Sequence, residues 1–125
     1  MKHTTVLKAE AVDLLQLKEN AVVLDCTLGA GGHSREILSR LGNGRLVSLD
    51  ADQSALDCFK EAATESQHDL VCANFRDITK VSIKLGIRSY DAILADLGWR
   101  NEQFVAGGKG FSFATDEPLL MTYGD

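Results

Sequence analysis

Proline is nearly absent from this 125-residue chain, Pro118 being the only one. No internal repeat, low-complexity tract or linker-like stretch divides it either. Cysteine is scarce. Cys26, Cys58 and Cys72 are odd in number and form no C-x-x-C pair, which disfavours a disulfide framework or a zinc site and fits a reducing cytoplasm. Positive charge is in deficit, with 13 Lys and Arg against 18 Asp and Glu, a net charge of −5 and a pI near 5.1. That excludes a protein that coats nucleic acid by bulk charge, while leaving room for a local basic face. No apolar run approaches the roughly 20 residues of a membrane span, and the N-terminus lacks the apolar core of a signal peptide. What is present is ordinary for a soluble globular chain: 45% hydrophobic and 25% charged residues. The length is that of one domain, able to bury about two-thirds of its unfolded surface.

Hydrophobic periodicity sets the order of elements. Residues 8–17 place Ala11, Val12 and Leu15 at helical spacing. Residues 21–26 (AVVLDC) are a short, β-branched apolar run and read as a buried strand. A glycine cluster follows, and residues 33–41 read as a helix stopped by Gly42-Asn43-Gly44. Residues 45–50 (RLVSLD) are a second strand and 53–63 a second crossover helix. Residues 70–73 are a third strand, 77–85 a third crossover helix capped by Gly86, and 90–95 (YDAILA) a fourth strand. Strands alternating with helices of about ten residues call for a parallel sheet with right-handed crossovers, in an α/β fold. Residues 97–113 carry four glycines and little periodicity. A loop of that length is usually functional or disordered.

The sharpest local feature is Asp25-Cys26-Thr27-Leu28-Gly29-Ala30-Gly31-Gly32, at the end of the first strand and the start of a helix. Glycines there let backbone approach a ligand, and a helix N-terminus offers free N–H groups. The dinucleotide pattern G-x-G-x-x-G fits poorly, because Ser34 stands at the third glycine position. Asp50 ends the second strand, 21 residues after Gly29, where an acid commonly grips the ribose hydroxyls of an adenosine cofactor. The plainer alternative is a glycine turn with no ligand.

Several blocks in order resemble a family, the bacterial N4-cytosine methyltransferases of the MraW type, which modify the decoding region of small-subunit (16S) ribosomal RNA. The segment D-C-T-L-G-A-G-G-H-S looks like their first motif. His3-Thr4-Thr5-Val6-Leu7 is similar to H-x-P-V-L, residues 44–52 resemble G-R-L-x-x-x-D-x-D, Asn74-Phe75 resembles N-F, and residues 90–98 resemble D-G-I-L-x-D-L-G. Gly110-Phe111-Ser112-Phe113 matches G-F-S-F outright. The resemblance implies a class I, Rossmann-like S-adenosylmethionine-dependent methyltransferase fold with sheet order 3-2-1-4. The whole chain, residues 1–125, is then a cofactor-binding methyltransferase domain, with 97–125 its catalytic loop region. It further implies cofactor contacts from Gly31, Gly32, His33, Asp50, Phe75, Asp96 and Gln103, beside Gly29. Asp25 either holds the methionine ammonium, directly or through water, or serves as an N-cap or turn residue. His33 is a ligand contact or a plain helix residue, and Phe75 packs on adenine or in the core.

Asp96-Leu97-Gly98-Trp99 sits where amino-methyltransferases place an acidic or amide residue followed by an aromatic. The exocyclic amine of cytosine is a poor nucleophile because its lone pair is conjugated into the ring. A carboxylate at Asp96 accepting its N–H bonds would localise that lone pair and aim it, with positioning supplying much of the acceleration and no metal needed. Trp99 stacks an extruded base or anchors the loop. Arg100, with Arg35, Arg76 and Lys109, is the basic contribution toward RNA. The family commonly reads V-S-S where this chain has Trp99-Arg100-Asn101, and P-L-D-M-R-M-D where it has residues 118–125. The resemblance implies the N-terminal portion of a longer catalytic domain, truncated before the last strands. The expectation is then a fourth strand at the sheet edge, a homodimer through that edge, and cofactor binding with little turnover. Rival readings are a binding module without turnover, and a small-molecule methyltransferase or NAD-dependent enzyme on the same fold.

Overall fold

The structure, a computed structural model, describes residues 7–60, 67–98, 108–114 and 116–122. Helix α1 (Lys8–Leu14) precedes β1 (Val22–Asp25). Then come α2 (Gly32–Arg40), β2 (Arg45–Asp50), α3 (Gln53–Lys60), β3 (His68–Cys72), α4 (Ile78–Leu85) and β4 (Ala92–Leu94). All pairings are parallel and the order is β3-β2-β1-β4, as the resemblance implied.

This order decides where the helices lie. The chain moves from β1 to β2 to β3 in one direction, so right-handed crossovers put α2 and α3 on the same face. It then returns past β1 to β4, which puts α4 on the other. Two cores result. Val23 and Leu46 pack under α1, α2 and α3 with Val12, Ile37, Leu38, Leu56 and Phe59. Leu24, Val47 and Leu49 pack against Val81 of α4, with Ile78 and Leu85 partly buried beside it. Alternation of side chains along each strand sends odd and even positions to opposite cores, and so both faces need apolar residues.

Within the described residues the expected boundaries hold within a few residues; residues 61–63 of the expected 53–63 helix and 99–107 of the expected 97–113 loop lie outside them. Helix α1 ends at Leu14, because Leu15 and Gln16 make tighter bonds to Val12 and Asp13 and Gln16 turns left-handed at φ 49°. Strand β3 starts two residues early, at His68. There Asp69 pairs with Arg45 at 2.7 Å, and His68 bonds Ser48 at 2.7 Å. A 3-10 turn, Phe75–Asp77, precedes α4, with Asn74 Oδ1 accepting the Arg76 N–H at its start. Strand β4 is only three residues long. Its ladder is extended by Asp91, whose carboxylate accepts the Val22 N–H and whose own N–H reaches Val22 O, both at 2.8 Å. Among the described strands β4 is an edge, with Ile93 54% exposed. No described helix is long and apolar enough to cross a membrane.

Phe59 joins the helices to the glycine turn. It is buried, meets the His68 ring edge-on at 5.1 Å, and carries the Arg35 guanidinium 4.6 Å from its ring centre. A Cβ on Gly31 would lie 2.1 Å from Phe59 Cδ2, and Gly31 is left-handed at φ 75°. Gly86, which caps α4, is left-handed too, at φ 68°, but with open space around it. An alanine at Gly86 meets only the left-handed penalty of about 1–2 kcal/mol. One at Gly31 also overpacks the core, adding about 1–3 kcal/mol. Urea unfolding should therefore rank Gly31→Ala below Gly86→Ala in stability by at least about 1 kcal/mol. Equal losses would show that Phe59 does not brace the turn.

Candidate functional site

The carboxyl ends of β1, β2 and β4 meet around the glycine turn. Leu28 N–H donates to Leu49 O at 2.8 Å, and Gly29 N–H donates to Asp50 Oδ2 at 2.9 Å. Asp50 Oδ1 accepts the Asp52 N–H at 3.0 Å. Each carboxylate oxygen can accept more than one bond, so Asp50 is fixed by backbone and still has acceptor capacity toward a diol. On the other side, Cys26 N–H donates to Leu94 O and Asp96 N–H to Thr27 Oγ1, both at 2.8 Å. Thr27 thus clamps the exit of β4 onto the exit of β1, at the point where the strand order reverses. In open α/β sheets that crevice is where ligands bind.

Helix α2 opens beneath it. Gly31 N–H bonds Leu28 O at 2.7 Å, and Arg35 N–H returns to Gly31 O at 3.0 Å. Gly29 and Gly31 therefore use their N–H groups to shape the turn. The N–H groups of Gly32, His33 and Ser34 lie in the first turn of α2, where the helix supplies no carbonyl, and that turn is the anion- or dipole-binding end. His33 is 6% exposed. Its Nδ1 stands 3.8 Å from Asp96 Oδ2, and its Nε2 is buried with no hydrogen-bond partner among the described residues. Phe75 is 45% exposed at the end of β3, so it is not a core phenylalanine and its ring is open to a planar ligand.

Asp25 is the residue the structure places differently from a direct ligand contact. Its carboxylate is fully buried behind the turn. Oδ1 accepts the Thr27 N–H at 3.0 Å and Oδ2 the Ser34 hydroxyl at 2.6 Å. Burial pushes its pKa up, and the Ser34 and Thr27 bonds pull against that. Burial likewise raises the neighbouring Cys26 thiol, helped by the Asp25 charge. Arg35 is not a free cation for RNA either, since Nη1 bonds Ala30 O at 2.8 Å and the guanidinium lies over Phe59. Arg76 stands 3.7 Å from the Asp77 carboxylate. Trp99, Arg100 and Gln103 lie outside the described residues. Asp25, Asp50, His33, Phe75 and Asp96 do gather at one end of the sheet. The sequence pattern gave no role to Thr27, Ser34 or Ser48: Ser34 stood out only as a break in the dinucleotide pattern, and Ser48 only as a lone hydroxyl in an otherwise apolar run.

The residues fit an adenosine-type cofactor. Asp50 has spare acceptor capacity, Phe75 is an exposed ring just past the neighbouring strand, and the buried His33 Nε2 has no partner among the described residues. A 3-2-1-4 parallel sheet with an acid at the end of β2 and a glycine turn at the switch point is a Rossmann-like fold of the methyltransferase kind. The chain belongs to the MraW methylase family, whose sequence model matches residues 1–123. It is 43% identical over 121 residues to the ribosomal RNA small subunit methyltransferase H of Chromobacterium violaceum, covering 95% of this chain and 38% of that protein. A Clostridium botulinum protein of the same name is 41% identical over 122 residues, covering 96% of this chain and 40% of its own length. The chain thus spans well under half the length of these relatives. Solved structures share the fold. An rRNA methylase of Clostridium thermocellum aligns at a TM-score of 0.64 and 22% identity, over 82% of this chain and 58% of its own. A Streptococcus mutans methyltransferase, in complex with SAH, aligns at 0.64 and 20%, over 83% and 58%.

Behind the site, burial holds the His68 imidazole down at about 4, against an ordinary 6.5. In the unfolded chain His68 takes up a proton near 6.5, and in the fold only near 4. Its contribution to stability is therefore complete above pH 6.5 and lost progressively as the pH falls toward 4. Urea unfolding at pH 7 and pH 5 should show a larger loss for the wild type than for His68→Gln. Equal losses would show that His68 is not buried in its neutral form.

Proposed function

We propose that this chain holds S-adenosylmethionine at the glycine turn and serves N4-methylation of a cytidine in small-subunit ribosomal RNA. The observation that carries this reading is the pair of acids flanking the turn. Asp50 is fixed by Gly29 and Asp52 on the β2 side, and Asp96 is fixed by Thr27 on the β4 side. One faces a ribose diol and the other an incoming amine. Membership of the MraW family and the names of its relatives support the same assignment.

When bound, the cofactor supplies a methyl carbon made electrophilic by a positively charged sulfur. Asp50 accepts from the ribose hydroxyls, Phe75 packs on the adenine, and the first turn of α2 with His33 lines the rest. Gln103 joins them as a further contact. Asp96 accepts hydrogen bonds from the cytosine amine and so localises its lone pair. Methyl transfer to that nitrogen, with the neutral thioether leaving, would require it to lose a proton, and Asp96 would take that proton. His33 Nδ1 stands 3.8 Å from the same carboxylate. Trp99 and Arg100 lie just beyond Asp96 in sequence and serve base stacking and phosphate contact. Self-association is the second reading of the β4 edge, favoured by exposed Ile93; sedimentation of the chain distinguishes dimer from monomer.

Calorimetric titration of the chain with S-adenosylmethionine, S-adenosylhomocysteine and NAD tests the cofactor class. Binding is expected for the first two and absent for NAD. Asp50→Ala removes acceptors for two hydroxyls, at about 1 kcal/mol or more each, so affinity should fall at least about tenfold. An unchanged dissociation constant would remove Asp50 from the site. For Asp96, the measurement is transfer of labelled methyl to small ribosomal subunits by a full-length family member carrying the matching Asp→Ala change. Transfer should vanish while cofactor affinity falls far less; turnover near the wild-type level would refute the amine-acceptor role.

A further inference from the structure

Three hydrogen bonds run from Asp25 across the face of the sheet that α2 and α3 cover. The Ser34 hydroxyl donates to Asp25 Oδ2 at 2.6 Å, Ser34 and Ser48 hydroxyls meet at 2.7 Å, and Ser48 Oγ meets His68 Nε2 at 2.7 Å. Asp25 and Ser48 are direct register partners on β1 and β2. His68 lies opposite Leu46, one same-face position before Ser48. Asp25, Ser34 and Ser48 are fully buried.

A hydroxyl has one hydrogen to give, and that fixes the direction of the whole chain. With Asp25 ionised, Ser34 must give its proton to the carboxylate. Ser48 must then donate to Ser34, and His68 Nε2 must donate to Ser48. With Asp25 protonated, Oδ1 is still held by the Thr27 N–H, so the acid proton lies on Oδ2 and every bond reverses. His68 then accepts at Nε2 and carries its proton on Nδ1. The far end also returns to the turn, because the His68 ring packs edge-on against Phe59 and Phe59 abuts Gly31.

We propose that Ser34, Ser48 and His68 form a one-way proton-ordered relay, with His68 as its Nε2–H tautomer. It ties the charge on Asp25 to His68 two strands away and positions the glycine turn for its cofactor. The positioning role rests on the S-adenosylmethionine reading, whereas the ordering of protons does not. The charged groups facing the ends of the relay are His33 and Asp50 near Asp25 and Asp69 beside His68, with Arg35 over the intervening Phe59. None of them donates to or accepts from a hydroxyl of the relay.

Long-range proton–nitrogen NMR of the histidine rings decides the ordering. At neutral pH the wild type should show His68 protonated on Nε2. In Asp25→Asn the amide oxygen still serves Thr27 and the NH2 faces Ser34, so His68 should switch to the Nδ1–H form. A wild-type Nδ1–H form, or a tautomer that ignores Asp25→Asn, would overturn the relay. If Asp25→Asn does not fold, the wild-type spectrum still decides. Ser48→Ala should lose the fixed tautomer and weaken S-adenosylhomocysteine binding by about fivefold or more, the scale of one broken buried hydrogen bond. Unchanged affinity would overturn the positioning role. Failure of the wild-type chain to bind S-adenosylhomocysteine would overturn the cofactor reading and that role together, leaving the tautomer to judge the ordering alone.

Discussion

A carboxylate with no exposure to water, directly beneath the turn, is the constraint on which the site depends. Asp25 ends β1 where the chain must leave the sheet, pass through Gly29 and Gly31, and enter α2. An unpaired buried charge would be costly. Asp25 avoids that by taking the Thr27 N–H on one oxygen and the Ser34 hydroxyl on the other. Those two donors lie at the two ends of the turn. The bonds that satisfy the charge are therefore the bonds that set the curvature of the loop and the start of the helix.

The strand order then distributes the chemistry. β1 lies between β2 and β4, so its exit loop can be tied to both neighbours. The Gly29 bond to Asp50 faces one way and the Thr27 bond from Asp96 faces the other. Three carboxylates, Asp25, Asp50 and Asp96, thus converge on one helix N-terminus. The positive end of α2 offsets part of their mutual repulsion. The three carboxylates suit a ligand that carries positive charge on sulfur and ammonium. This agrees with a chain of net charge −5 whose Arg35 is committed to the turn.

Much of this was legible in the sequence because it lies in periodicity and in motif. The runs AVVLDC and RLVSLD could only be buried strands, and Asp50 was marked by its place at a strand end, 21 residues after Gly29. The family blocks fixed the sheet order. The polar line under the turn was not legible. A serine inside RLVSLD looks like noise until the register puts Ser48 opposite Asp25 and α2 lowers Ser34 onto both. His68 was hidden in the same way, since His-Asp before an apolar run reads as loop. Only pairing with β2 shows that both residues are partnered within the sheet. Leu15 misled in the opposite sense, continuing a helical pattern that the backbone abandons at Leu14.

The glycine cluster shows how a correct motif can carry a reason different from the one first attached to it. Its glycines were read as clearing space for a ligand. At Gly31 the space is filled by the Phe59 ring, and the N–H is bonded to Leu28. At Gly29 the N–H is held by Asp50. Neither is left to meet a ligand through its amide. The groups that remain are those of the α2 first turn and the outer lone pairs of Asp50. Both are in place because Gly29 and Gly31 satisfy themselves inside the protein. Pre-organisation of this kind reduces what a ligand must order on arrival. It also explains why the helix side of the turn needs an aromatic as large as Phe59. The ring fixes Gly31 from behind, and His68 fixes the ring.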